Sequence, residues 1–212
     1  MEEDLSPRER IKRHVVEVAA EAFRTEGIRA VTMDDIARRL GMSKRTLYQI
    51  FKDKEDLLLA TLELRIEDEH RLLDSLLVKT DNVMEIILQI FVNRMERFGD
   101  ATLSFLPDLR KYPRILEANN RRISSERKDG IAFMKRGIEQ GIFRPDVDFS
   151  IVFPLILKQV DFLMDEPQFK QRRLKDLFFN SAMVMIRGCA TAKGLAMIDD
   201  FCAHWQQQHA GE

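Results

Sequence analysis

Lys44, Arg45, Thr46, Tyr48 and Gln49 fall within six consecutive positions, and each can hydrogen-bond to an anion or to the edge of a base. On a helix, Leu47 and Phe51 would turn inward as buried anchors and leave these five on the outer face. Arg or Lys can pair with guanine and Gln with adenine, while hydroxyls and helix N-termini suit phosphate oxygens. The chemistry on offer is recognition of duplex DNA. Taken singly, Lys44, Arg45, Lys52 and Lys54 are what any solvated helix face displays, and Thr32 and Ser43 suit plain N-caps. Their common register separates the two readings.

The elements that must position these side chains can be read from caps and stops. Ser43 caps a helix running through Gln49 or Ile50, and Gly41, two residues earlier, ends a shorter one. That shorter helix opens on Thr32-Met33-Asp34-Asp35, a capping-box pattern, and turns Ile36, Ala37 and Leu40 inward. Two short helices joined by a glycine-containing turn form the unit that lays its second helix in the DNA major groove. Ala37 lets the helices approach, Gly41 can take the positive φ of the turn, and Ile36, Leu40 and Leu47 make a small core. Upstream, Ser6-Pro7-Arg8-Glu9 starts a helix that runs to about Glu26 and stops at Gly27. Its Ile11, Val15, Val18, Ala19, Ala22 and Phe23 predict one buried stripe. Asp53 caps the helix that follows.

Charge agrees locally. The 212 residues carry 34 Lys and Arg against 35 Asp and Glu, so the whole chain has no nucleic-acid footprint. Residues 5–54, however, hold twelve basic side chains and seven acidic ones, an excess of five positive charges where counterion release would supply affinity.

In this stretch the chain resembles the TetR/AcrR family of transcriptional regulators. The matching residues are Ala22-Phe23-x-x-x-Gly27, Val31-Thr32-Met33-x-x-Ile36-Ala37, Gly41-Met42-Ser43-Lys44-Arg45-Thr46-Leu47-Tyr48, then Phe51-Lys52-x-Lys54-Glu55-x-Leu57. The resemblance implies phosphate contacts from Thr32, Ser43, Tyr48 and Lys54, and base-edge or mixed contacts from Lys44, Arg45, Thr46 and Gln49, with Lys52 on the same DNA-binding surface. One departure is Ile50, where the family often has His or Tyr; a polar contact is replaced by packing.

Beyond Lys54 the sequence reads as long helices, near 54–79, 83–98, 103–110, 114–140, 150–165, 170–190 and 195–207, with breaks at Asp81-Asn82, Gly99, Pro113, Gly141 with Pro145, Pro167 and Gly194. With 9 Gly and 6 Pro and abundant helix formers, the fold class is all-α. We expect a three-helix helix-turn-helix domain over 1–54, followed by an antiparallel helical bundle over 55–212 for ligand binding and dimerisation. Residues 149–164 and much of 174–186 are apolar nearly all round, which predicts a second buried face, hence a homodimer through the helices near 150–165 and 170–190. An unusually buried monomer core is the alternative. A two-fold dimer would hold its recognition helices about 34–36 Å apart and read a palindromic DNA operator.

The resemblance further implies a small-molecule inducer held inside the bundle, hydrophobic or amphipathic given the apolar lining. Phe91, Met95, Phe98, Phe105, Tyr112, Met134, Phe153 and Leu157 are candidates, each also readable as plain core at helical spacing. Pro154 would either kink its helix or sit in a tolerant first turn. An inducer that fits a form with misplaced headpieces would release DNA, with the helix from Lys54 to about Lys79 as lever. A repressor is the expected function, and an activator of the same fold would need the same headpiece.

Other classes are poorly served. Glu67-x-x-His70 is half of a di-iron ligand set, but His14, His204 and His209 lack the matching Glu three residues earlier. No nucleophile triad, phosphate-cradling glycine loop or HExxH zinc motif is present, so neither an enzyme nor a cofactor is expected. Cys189 and Cys202 form no CxxC pair and read as core residues of a reducing compartment. The acidic start Met1-Glu2-Glu3-Asp4 is unlike a secretory signal, and no apolar run reaches membrane-span length, so a cytoplasmic location without membrane partners is expected.

Overall fold

A computed structural model describes residues 6–98, 111–165, 167–169 and 172–209. Among these the α-helices are α1 (Pro7–Glu26), α2 (Met33–Arg39), α3 (Lys44–Ile50), α4 (Lys54–Lys79), α5 (Val83–Phe98), α6 (Pro113–Glu139), α7 (Phe149–Asp165), α8 (Leu174–Cys189) and α9 (Ala192–His209), with a 3-10 turn over Pro167–Phe169. The helix expected near 103–110 lies outside the described residues. No helix among them is long and apolar enough to cross a membrane.

The chain divides into two compact units. The first comprises the described residues within Met1–His70 and Ala101–Arg121, the second those within Arg71–Asp100 and Arg122–Glu212. In the first unit Val15, Ala19, Phe23, Ile36, Leu47, Phe51 and Leu57 are buried in one cluster with Ile115. The caps are those the sequence predicts. Ser6 forms a full capping box with Glu9, and Thr32 forms one with Asp35. Asp53 accepts the Asp56 N–H at 2.8 Å.

The buried stripe of α1 differs from expectation at its outer end. Ile11 is 50% exposed, Val18 is half-buried, and the unexpected Val16 is buried. The 20-residue α1 is far longer than the seven-residue α2 and α3, so the small core covers it only from Val15 onward.

The second unit builds its core from Val83, Met84, Phe91, Met95, Met134, Phe143, Phe149, Phe178, Met183 and Ile198. Gly141, at φ 67°, closes α6: its N–H reaches the Ile138 carbonyl, and the Ile142 N–H the Gly137 carbonyl. An antiparallel bridge, Phe143 with Ala190, ties the α6–α7 and α8–α9 connections together. Here one expected break moves. Gly194 lies in the first turn of α9, where the Thr191 hydroxyl accepts its N–H at 3.2 Å. Glycine is required for closeness rather than as a stop, because a Cβ there would lie 2.4 Å from the Ile142 carbonyl oxygen.

Pro154 sits inside α7, beyond its first turn. The missing N–H would leave the Ser150 carbonyl unpaired, and the Arg127 guanidinium donates to that oxygen at 3.0 Å. Cys189 is buried, which pushes its thiol pKa upward, and Cys202 is half-buried. Both thiols are unpaired by disulfide.

Candidate nucleic-acid interface

The turn between α2 and α3 is built by backbone. The Gly41 N–H bonds to the Arg38 carbonyl at 3.1 Å, the Met42 N–H to Ala37 at 3.0 Å, and Gly41 takes φ 63°. This double closure around a left-handed glycine satisfies the last carbonyls of α2 and redirects the chain. Ser43 then restarts it. Its hydroxyl accepts the Thr46 N–H at 3.1 Å and lies 2.8 Å from the Thr46 hydroxyl. Leu47 is fully buried, as the single inward anchor within α3.

This places Thr32, Ser43, Lys44, Arg45, Thr46, Tyr48, Gln49 and Lys52 all at exposed positions. Tyr48 is a large ring left half in solvent. The side chains of Arg45, Tyr48 and Gln49 make no hydrogen bond or ion pair to the described residues, so their polar atoms are available to a partner. Lys44 is ion-paired with Asp34, which tethers the start of α3 to the start of α2. Thr32 donates its hydroxyl to Asp35 at 2.6 Å and accepts the Asp35 N–H at 3.2 Å. That hydroxyl bond, with a second from the Thr32 N–H, holds the Asp35 carboxyl below its ordinary pKa.

Lys54 is placed differently. It is half-buried, its ammonium donates to the Ile28 carbonyl, and it lies 5.8 Å from the Phe23 ring centroid. It thus braces the turn after α1 from the start of α4. Two side chains absent from the sequence expectation border the same surface: Arg8 and Ile11 of α1 line an open depression with Thr46, Gln49 and Ile50. Ile11 fits the apolar spacing of α1 yet is 50% exposed, so periodicity alone hides this depression.

The eight candidate ligand residues fall into three groups. Phe91, Met95 and Met134 are buried in the core of the second unit, with Phe153 partly buried against it. Tyr112 instead packs against the cluster of the first unit. Phe105 and the side chains of Phe98 and Leu157 lie outside what is described. Phe91 is the hub of an aromatic group that sequence reasoning missed in part. Its ring stacks on Phe178 at 5.5 Å and meets Phe179, Phe201 and Trp205 edge-on at 5.7, 6.0 and 6.4 Å. The Phe201-to-Trp205 spacing of one helical turn was the available signal. Among the described residues no three His, Cys, Asp or Glu side chains converge to hold a metal.

Residues 15–61 match the family model described as bacterial regulatory proteins, tetR family. The chain is 30% identical over 152 residues to the HTH-type transcriptional repressor KstR2 of Mycobacterium tuberculosis, spanning 67% of this chain and 74% of the relative. The solved structure of the ketosteroid transcriptional regulator KstR2 from the same organism is similar with a TM-score of 0.56 at 22% identity, covering 85% of this chain and 95% of that one. A TetR-family regulator from Cytophaga hutchinsonii superposes with a TM-score of 0.65 at 19% identity, covering 89% and 98%.

Proposed function

The chain belongs to the TetR family of helix-turn-helix regulators, and from that premise we propose that it is a transcriptional repressor that binds a palindromic operator as a homodimer and is released by a small hydrophobic or amphipathic inducer. Residues 1–54 read DNA and residues 55–212 bind the inducer and dimerise. The observation that carries this reading is the outer face of α3. Arg45, Tyr48 and Gln49 project from a helix fixed at both ends by a capped turn and a buried anchor, and Lys44 and Thr46 flank them. A rigid, polar and outward helix face is what direct readout of base edges requires.

Two further observations support the finer parts. Ile151 and Leu155 of α7 are 62% and 55% exposed, and Val184 of α8 is 72% exposed. These two helices pack on each other, so the exposed aliphatic side chains lie on the pair expected to meet a second copy, where burial would stabilise association. The aromatic group around Phe91 supplies the apolar surroundings that a steroid-like or other lipophilic inducer needs, and the relative KstR2 is described as a ketosteroid regulator. α4 carries the chain without a break from one unit into the other, which suits it to transmit inducer binding.

The test is selection of bound duplexes from a random DNA pool, followed by addition of candidate lipophilic compounds to the complex. A palindromic consensus that one compound class releases supports the reading. An enriched sequence without two-fold symmetry, or inducer binding that leaves DNA affinity unchanged, contradicts it.

A further inference from the structure

We infer that the outer end of α1 is a second DNA-contacting element, which seats the sugar–phosphate backbone of one strand in the depression it forms with α3; the inference rests on the DNA-binding reading above. Arg8, Ile11, Thr46, Gln49 and Ile50 enclose an open volume of about 560 Å3, and no acidic side chain is among them. Thr46 and Gln49 belong to the outward face of α3 as well, so the depression is continuous with the recognition surface. A helix seated in the major groove is flanked by a sugar–phosphate wall, and on this flank of α3 the wall meets α1.

The chemistry of the lining fits a strand backbone, which alternates phosphate anions with apolar deoxyribose. Arg8 is exposed and makes no hydrogen bond or ion pair to the described residues. Its neighbour Glu9 forms no ion pair with it: that carboxylate accepts from the Ser6 N–H at 2.9 Å and the Ser6 hydroxyl at 2.6 Å. The same capping box fixes the turn from which Arg8 projects. Ile11, half in solvent on this face, and Ile50 offer apolar surface to the sugar. Lys12, one residue on, lies 5.8 Å from the Phe51 ring centroid and keeps this side of α1 positive.

The experiment measures affinity against salt for the full-length protein and its Arg8→Gln, Arg10→Gln and Ile11→Ala variants, each on the selected operator and on a scrambled duplex. Arg10 is exposed in the same turn but does not line the depression, so it reports charge without contact. Loss of one phosphate contact lowers the salt slope by about 0.9 per headpiece and affinity roughly fivefold at 0.15 M salt. We expect that result for Arg8→Gln on both duplexes and not for Arg10→Gln. Ile11→Ala weakens both complexes roughly two- to fivefold with an unchanged slope. Both lining positions are exposed, and thermal melting verifies that the variants fold. The inference is overturned if Arg8→Gln matches Arg10→Gln, or if its loss is confined to the operator, which would mean base reading. Tight binding by the wild type together with either result sinks this inference alone; absence of DNA binding by the wild type sinks the family-based reading with it.

Discussion

Lys44, at the start of α3, is ion-paired with Asp34, at the start of α2, so a side chain expected to meet DNA is held by a carboxylate of the neighbouring helix. Both partners are largely in solvent, and an exposed pair of this kind contributes little to stability. Its effect falls on binding, because a phosphate or base acceptor must compete with Asp34 for the ammonium. Asp34→Asn therefore raises DNA affinity roughly two- to fivefold at low salt, with less gain at high salt, and leaves thermal stability nearly unchanged. Mobility-shift titrations at two salt concentrations check this; equal or weaker binding by the variant contradicts it.

Arg45 and Lys54 separate specificity from general affinity. Arg45→Ala removes a guanidinium without a partner among the described residues from the outer face of α3; it weakens operator binding and relaxes the preference for one base pair, at about 1–3 kcal/mol of discrimination. Lys54→Ala weakens binding to all sequences alike and also costs stability of about 1 kcal/mol, since the donor to the Ile28 carbonyl is lost. Competition assays with single-base operator variants, alongside denaturant melts, distinguish the two. A uniform loss for Arg45→Ala would deny it a base-reading role.

The Thr32–Asp35 box predicts an acid-sensitive headpiece. The Asp35 carboxyl is depressed first by the Thr32 hydroxyl and then by its N–H. A group with a lowered folded pKa contributes stability that is fully present above its ordinary value of 3.8 and disappears as pH falls through the lower folded value. Thr32→Ala lowers Tm by roughly 2–4 °C near neutrality, and the difference from wild type shrinks below about pH 4. Melting curves from pH 7 to 3 measure it, and a difference that widens in acid would contradict the assignment.

Much of the headpiece was legible because its signals are local. A cap, a glycine and a hydrophobic spacing each act within a few residues, so Thr32, Gly41, Ser43 and Leu47 could be placed before any tertiary contact was considered. Ile11 and Gly194 could not. Whether an apolar residue on a helix is buried depends on what the opposing elements cover, and beside α3 Ile11 borders an open depression with Thr46, Gln49 and Ile50. Gly194 looked like a stop because the carbonyl of Ile142 that demands its missing Cβ is 52 residues away in sequence. The ligand candidates suffered the same ambiguity. Phe91 and Tyr112 share an aromatic character but pack into different units, and only long-range contacts tell them apart.

The exposed aliphatic face of α7 and α8 gives the proposed dimer its own test. Val184→Arg places a charge where a second copy is expected to press, and it shifts sedimentation toward a monomer while leaving helicity intact. Affinity for a full palindrome then falls toward that for a half-site. A wild-type protein that sediments as a monomer at micromolar concentration would contradict the proposed assembly.

If the protein reads DNA as proposed, the side chains of residues 44–49 enter the groove of a duplex. Amide and side-chain NMR shifts recorded while the selected operator is added test it most directly. The largest perturbations are expected at Thr32, at Ser43 through Gln49 and at Lys52, with Leu47 sensed only through its backbone. Perturbations that leave residues 43–52 unmoved while another surface responds would contradict it.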